Sequence, residues 1–418
     1  MHDVDDWIRY GDELRRPLGL AQKAPESTKL VIVGGGLSGL CVAYRIATKR
    51  PDIEIVLVEA SDRLGGVIST WNHEGWVCDL AVNATRPHPA FWRLISDLGL
   101  EQDFRPSNTD AKSRWIRLNG RQHRLSATTA LKIGPFKLWR SMRRGREGGQ
   151  SVRSVLPHPQ IADAMTLGIV NAPSDLVDAD FLFPSMTRFG PSPPQKWSAI
   201  KRSMRATYPL FTPRRGSIAS LKGGMESLIA RLGEKVSNLP NVSILLNKEM
   251  TAPQAAAKDQ GVPLHSVIWT GPIEQDDVQH RLSVFAAGYR EEDVGHVPIG
   301  YGSLIPDPSV PISGVLHESD VHASPRAPQG HRLFRLMVPH SRWDGDEESI
   351  KQASKLLLTS SEPVVFENLG TRAVPSYPPG YLASLQPSSL QYSRAGWFYS
   401  GVSITHVVAE AERMADAF

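Results

Sequence analysis

The stretch Lys29-Leu-Val-Ile-Val-Gly-Gly-Gly-Leu-Ser-Gly-Leu40 constrains this chain more than any other. Leu30 to Val33 is a charge-free, largely β-branched run and reads as a strand buried on both faces. Gly34, Gly36 and Gly39 then give GxGxxG, and Cys41 to Lys49 continues at helical spacing. A second apolar run, Ile53 to Val58, ends in Glu59, about twenty residues beyond Gly39. Strand, glycine turn, helix, strand and acid in that order predict a parallel α/β unit that binds a dinucleotide. Gly34 permits the tight turn, Gly36 lets the backbone approach a pyrophosphate, and Gly39 lets the helix pack on the strand. Leu37 and Ser38 open that helix, whose first amides and dipole favour an anion. Glu59 stands where an acid accepts ribose hydroxyls. The competing reading is a glycine-rich turn that binds nothing.

Composition narrows the classes. The 418 residues suggest two or three lobes, with 47 basic and 43 acidic side chains in near balance, so charge gives no argument for nucleic acid. Two cysteines build no disulfide framework. HExxH, paired CxxC, GxSxG and Walker A patterns are missing, which argues against metal, nucleotide and common serine hydrolysis; no metal is expected. No run of about 18 apolar residues suggests a transmembrane helix. Residues 1–27, with Asp3, Asp5, Asp6, Asp12 and Glu13, read as a polar extension with a short helix around Trp7 and Tyr10. Acids there fit neither a secretory nor a mitochondrial leader. The expectation is a cytoplasmic protein, or one peripheral on an intracellular membrane.

After Glu59 comes Ala60-Ser-Asp-Arg-Leu-Gly-Gly66. Arg63 with Gly65 and Gly66 resembles the second cofactor motif of the flavin amine oxidase superfamily, which favours FAD over NAD. Further pieces follow in order: Ser113 to Leu125, Ala162 to Leu176, Arg215 to Leu228, Ser266 to Pro272, Tyr301 to Pro306, Gly314 to Ser319, Arg372 to Tyr377, and Gly401-Val-Ser-Ile404. Together they resemble the protoporphyrinogen oxidase branch of that superfamily.

The resemblance implies an α/β protein: a Rossmann-type FAD-binding domain (28–100, 216–272, 385–418), a mixed-sheet substrate domain (101–125, 273–384) and a shortened helical lobe (126–215). Cofactor residues would be Gly34, Gly36, Leu37, Ser38, Gly39, Glu59, Ala60, Arg63, Gly65, Gly66, Gly223, Gly224, Met250 on the adenine side, and Gly401, Val402 and Ser403 at the flavin. Arg114 would face a substrate carboxylate, which suits its planar fork; a solvated strand arginine is the alternative. Met165, Gly168 and Ile169 could wall an apolar pocket, although plain core packing is favoured for Met165. His406 reads as a structural helix histidine, and no general base is assigned. No cysteine follows Cys78, so FAD would be non-covalent.

The implied activity is oxidation of a small cyclic substrate, best protoporphyrinogen IX to protoporphyrin IX, with O2 as acceptor and H2O2 as product. Departures at Cys78 to Val82, at Trp397 to Gly401 and at Thr405-His406 keep two others open: a tailoring oxidase of a specialised metabolite, and a flavin-binding protein without redox turnover. The brief stretch from Arg140 to Ala162 suggests either a divergent relative or an incomplete gene model. Lys132 to Arg146 is basic and amphipathic, suiting a peripheral membrane contact or a solvated basic face. Monomer and homodimer stay open.

Overall fold

The computed structural model describes residues 16–86, 88–124, 135–145, 147–156, 158–183, 187, 218–271, 279–385 and 390–418, without the side chains of Pro135, Leu138, Met142 and Gln279. The expected helix around Trp7 and Tyr10, together with Lys132, Arg146, Arg215 and Pro272, lies outside these.

The run Lys29–Val33 is the centre of a five-stranded sheet, ordered Ser393–Arg394, Val267–Trp269, Lys29–Val33, Glu54–Val58, Val242–Leu245. Every pairing is parallel, with Val31 opposite Val267 and Ile32 opposite Leu57. Parallel strands need crossovers that cover both faces, hence their continuous apolar sequence. Helices Leu37–Lys49, Glu226–Ser237 and Ile404–Asp416 pack on one side through Leu30, Ile32, Leu40, Leu228 and Val408. Helix Pro253–Gln260 covers the other through Ala256 and Ala257. Each fully buried Leu or Ile there contributes about 1.5–3 kcal/mol. Residues 16–27 are tied to the same unit: Ala21 N donates to Ser393 Oγ at 3.0 Å, and Arg394 N to Gly19 O at 2.6 Å.

A buried ion cluster bolts three helices together. Glu412 accepts from Arg93 Nε at 3.0 Å and lies 3.0 Å from Arg45 Nη2, while Arg45 also pairs with Asp97. Helices from the first hundred residues are thus joined to the last helix on one side of the sheet.

The second sheet has seven strands, ordered Val365–Pro375, Gln279–Arg290, His331–Pro339, Gly314–His317, Gly302–Leu304, Arg114–Leu118, Arg121–Arg124. It is antiparallel except where Gly302–Leu304 runs parallel to Arg114–Leu118. Asn119 (φ 50°) and Gly120 (φ 73°) close the last hairpin with the two left-handed residues such a turn requires. One face is dry: Phe285, Tyr289, Phe334 and Leu336 pack with Ile350 of helix Glu347–Leu357. The other meets hairpin Thr70–His73/Trp76–Asp79 at one end and helix Pro159–Val170 at the other. A methyl on Gly288 would strike the Trp76 ring at 2.3 Å, and one on Gly168 would reach Leu304 Cδ2 at 2.9 Å. The described helical part is small: Pro135–Arg144, Val152–Val155, Pro159–Val170 and Ala179–Leu182.

Candidate dinucleotide and substrate sites

The first glycine segment adopts the geometry its sequence demands. Gly34 has φ 106°, and a Cβ on it would lie 2.4 Å from Thr270 Oγ1. A Cβ on Gly39 would sit 1.9 Å from Gly34 O, so only glycine lets this helix meet the strand end. Gly36 differs. Its φ of −72° suits any residue, and its Cβ would meet only Gly66 Cα, at 3.9 Å. Gly36 precedes helix Leu37–Lys49, which has no side-chain cap. The open space in front of uncapped amides is a cradle for an anion.

The second glycine segment lies against the first. Gly65 N donates to Gly35 O at 2.9 Å, and Gly36 and Gly65 form a parallel bridge. Arg63 folds over this loop, with Nη2 donating to Gly66 O at 2.7 Å, and remains exposed. Ala60 is exposed beside Glu59. The Glu59 carboxylate accepts from Gly35 N at 2.6 Å and from Ser61 N at 2.9 Å, which fixes its orientation at the strand end. Lys248 N donates to Glu59 O and Asn247 N to Ser61 O, both at 2.9 Å. The segment leading to Met250 therefore runs beside the acid, and Met250 packs on the Val58 and Ala256 cluster.

Gly223 and Gly224 form the turn before helix Glu226–Ser237. Any Cβ on Gly224 would collide with Thr70 at 2.3 Å. Ile229 in that helix abuts Gly65. The C-terminal segment closes the arrangement. A Cβ on Gly396 would lie 2.9 Å from Ser38 Oγ, next to the first helix. After the turn Trp397–Ser400, Gly401 (φ 104°), half-buried Val402 and Ser403 lead into helix Ile404–Asp416, again without a side-chain cap. His406 Nδ1 lies 3.4 Å from Arg16 Nη1. Gly396 N donates to Glu410 Oε2 at 2.6 Å, and burial pushes that carboxyl up to about 8.

The proposed substrate residues occupy the second sheet and the helix facing it. Arg114 is exposed, its guanidinium 4.5 Å above the Tyr301 ring. Gly168 is exposed, Met165 half-buried, and Ile169 packs with Val374 and Tyr377.

Sequence reading missed a buried polar network between the two sheets. Asp79 accepts from Arg326 Nη1 at 3.0 Å, Thr70 Oγ1 at 2.6 Å and Met225 N at 2.8 Å. Glu318 pairs with Arg335 Nε at 3.0 Å and His322 Nε2 at 2.8 Å. Arg335 holds Glu318 down to about 2 against the opposing effect of its burial. His322 Nδ1 lies 2.7 Å from Ser220 Oγ and 3.4 Å from Arg326 Nη2, which ties the Glu318 and Asp79 ends of the network together. The four-residue steps Glu318, His322, Arg326 were a legible signal; their distant partner Asp79 was not. Burial pushes Cys41 up to about 12 and Cys78 well above the ordinary thiol range, so both stay protonated.

Parallel sheet, paired glycine segments, the acid ending the second strand and the returning C-terminal helix define a Rossmann-type α/β protein, the class of fold that takes dinucleotide cofactors, carrying a second, mixed sheet. The residues fit such a cofactor: the cradle at Gly36 and Gly66 is open, and two helix N-termini lack side-chain caps. The family model for flavin containing amine oxidoreductases matches residues 37–254, about half the chain, and the protein belongs to that family. Chloroplastic protoporphyrinogen oxidase 1 of Arabidopsis thaliana is 37% identical over 97 residues, 23% of this chain and 18% of that protein. Human protoporphyrinogen oxidase is 25% identical over 356 residues, covering 69% of this chain and 72% of its own. Among solved structures, reduced UDP-galactopyranose mutase (TM-score 0.64, 15% identity, 93% of each chain) shares the fold. So does cyclohexylamine oxidase from Brevibacterium oxydans (TM-score 0.63, 15% identity, 94% of this chain and 98% of that one).

Proposed function

We propose that the protein is an FAD-dependent oxidase of a porphyrinogen-type cyclic substrate, protoporphyrinogen IX first, using O2 and releasing H2O2. The supporting observation is convergence: segments 34–39, 59–66 and 247–250, with Gly396, meet at the end of one parallel sheet, in the chain order of the motifs that resemble protoporphyrinogen oxidases. When bound, FAD supplies the two-electron acceptor.

The chain's own residues bind and orient. Gly36, Leu37, Ser38 and Gly66 would hold the pyrophosphate, with Arg63 over the same loop, and Glu59 the ribose. Met250 would flank the adenine. Gly401, Val402 and Ser403 would bring the last helix's amides to the flavin ring, where developing negative charge is stabilised. The Asp79–Arg326–Glu318 network would fix the wall between cofactor and substrate sheet. Binding would be non-covalent, since both cysteines are buried and protonated. The proposal includes peripheral contact with an anionic membrane through helix Pro135–Arg144. Phe136 (70% exposed) and Trp139 (56% exposed) stand there among exposed Lys137, Arg140, Arg143 and Arg144.

A second reading, oxidation of another carboxylated metabolite, is favoured by the turn Trp397–Ser400. Tyr377 and Tyr381 donate to its carbonyls at 2.8 Å, a pinned, bulky segment where the relatives resembled carry a Gly-Asn loop. The test is purification followed by flavin absorbance and porphyrin fluorescence after adding protoporphyrinogen IX in air. Yellow protein with rising porphyrin emission is expected. Yellow protein without emission moves the assignment to the second reading, and colourless protein that takes up no FAD overturns both.

A further inference from the structure

Among the described residues, one half-buried cation on the inner face of the seven-stranded sheet lacks a counter-charge. Directly paired residues share a sheet face. The register places Arg372 beside Leu282 and Pro339; the next row holds Gly370, Val284, Met337, Gly314 and Leu304, and the row after that Ala286, Arg335 and Leu316. This face is not closed. Leu304, Leu316 and Met337 lie on interior strands yet stay partly exposed, and Gly168 opposite them is exposed. The open part of this face forms a hollow beside the point where Gly168 of helix Pro159–Val170 approaches Leu304. Val374, two residues beyond Arg372 on the same face, packs against that helical part.

Within this wall the charges can be tallied. Asp79 and Glu318 answer Arg326 and Arg335. Arg372 is left over. It has no ion pair or hydrogen bond among the described residues; its Nε is sealed from solvent, while the side chain as a whole keeps part of its surface accessible. Burial, with a smaller effect from the Arg335 charge, pulls it down to about 9, so it remains cationic at neutral pH. A largely buried guanidinium without partner is costly, and no described residue pairs with it.

The geometry points to Arg372 as the residue that binds a carboxylate of the substrate within this hollow. This rests on the reading of the hollow as the substrate site, and it adds to Arg114 a second cation on the same sheet. A planar fork in a partly dehydrated apolar wall selects a planar anion carried on an apolar body. The other function it could serve, structural support, would require a partner.

The experiment titrates the full-length protein with protoporphyrin IX, its dimethyl ester, 1-pyrenebutyrate and methyl 1-pyrenebutyrate, following Soret or pyrene spectra. Each acid is expected to bind roughly tenfold or more tightly than its ester, as a charge-assisted bidentate contact implies. Arg372→Gln should abolish that preference with ester binding unchanged, and Arg372→Lys should restore part of it. Arg372→Met should raise the unfolding temperature, because a buried unpaired charge is removed; a structural arginine would give the opposite. Acid preference that survives in folded Arg372→Gln, or wild type that does not distinguish acid from ester, overturns the assignment. If the pyrene acid shows an Arg372-dependent preference and the porphyrin does not bind, Arg372 stands and the porphyrinogen reading falls.

Discussion

Replacing Glu410 by Gln should flatten the dependence of stability on pH above 5. Glu410 is buried in the last helix, accepts a hydrogen bond from Gly396 N and titrates at about 8 instead of near 4.5. Between those values the folded protein keeps a proton that the unfolded chain releases, so stability falls as pH rises. Its contribution is complete below the unfolded pKa and gone once pH passes the folded one. The slope is about 1.4 kcal/mol per pH unit, and integration from pH 5 to 9 gives about 4 kcal/mol. At about 2.1 cal/mol/K per residue, this corresponds to a relative shift of roughly 4–5 °C in the unfolding midpoint. Glutamine keeps the acceptor and cannot ionise. The assay is thermal unfolding of both proteins at pH 5, 7 and 9, with and without FAD. The wild type should lose midpoint relative to Glu410→Gln from pH 5 to 9; parallel curves would refute the buried, protonated carboxyl.

Three other expectations concern cofactor, scaffold and surface. Gly36→Ala should fold with little change in midpoint but lose most bound FAD, because its methyl enters open cradle; Gly39→Ala should fail to fold, meeting Gly34 O at 1.9 Å. Flavin content per protein checks both. Glu412→Gln leaves buried Arg93 without its only anionic partner among the described residues and should cost about 3–5 kcal/mol, measured by urea unfolding, whereas Glu362→Gln at an exposed pair should leave the midpoint unchanged. The double change Phe136→Ala, Trp139→Ala should reduce sedimentation with phosphatidylserine-containing vesicles while leaving activity in detergent intact.

The sequence made the parallel unit legible because its constraints are local. Gly34 is dictated by its φ of 106° and Gly39 by its close approach to Gly34 O, five residues away, and Leu30 to Val33 shows two-sided burial directly. Asn119-Gly120 marked its hairpin for the same reason. The charge network was hidden because its members are remote in the chain: Asp79 finds Arg326 across 247 residues. Arg372 was equally silent. Its significance lies in the absence of a partner, which no spacing encodes. The reading of 1–27 as a polar extension overlooked Arg16, whose charged side chain is buried and donates to Phe181 O at 2.7 Å. Composition marks such a residue as surface, and only tertiary packing corrects it.

The bolt at Glu412 also bears on how the molecule is made. Arg93 and Glu412 are separated by 319 residues. At roughly 5–20 residues per second, the ribosome needs on the order of half a minute between them. Throughout that interval the glycine segment has been synthesised, yet Arg45 and Arg93 lack the carboxylate they share. Strand Ser393–Arg394 at the sheet edge is missing as well. The buried charges of the first two helices are thus neutralised only once a segment more than three hundred residues further along has been made.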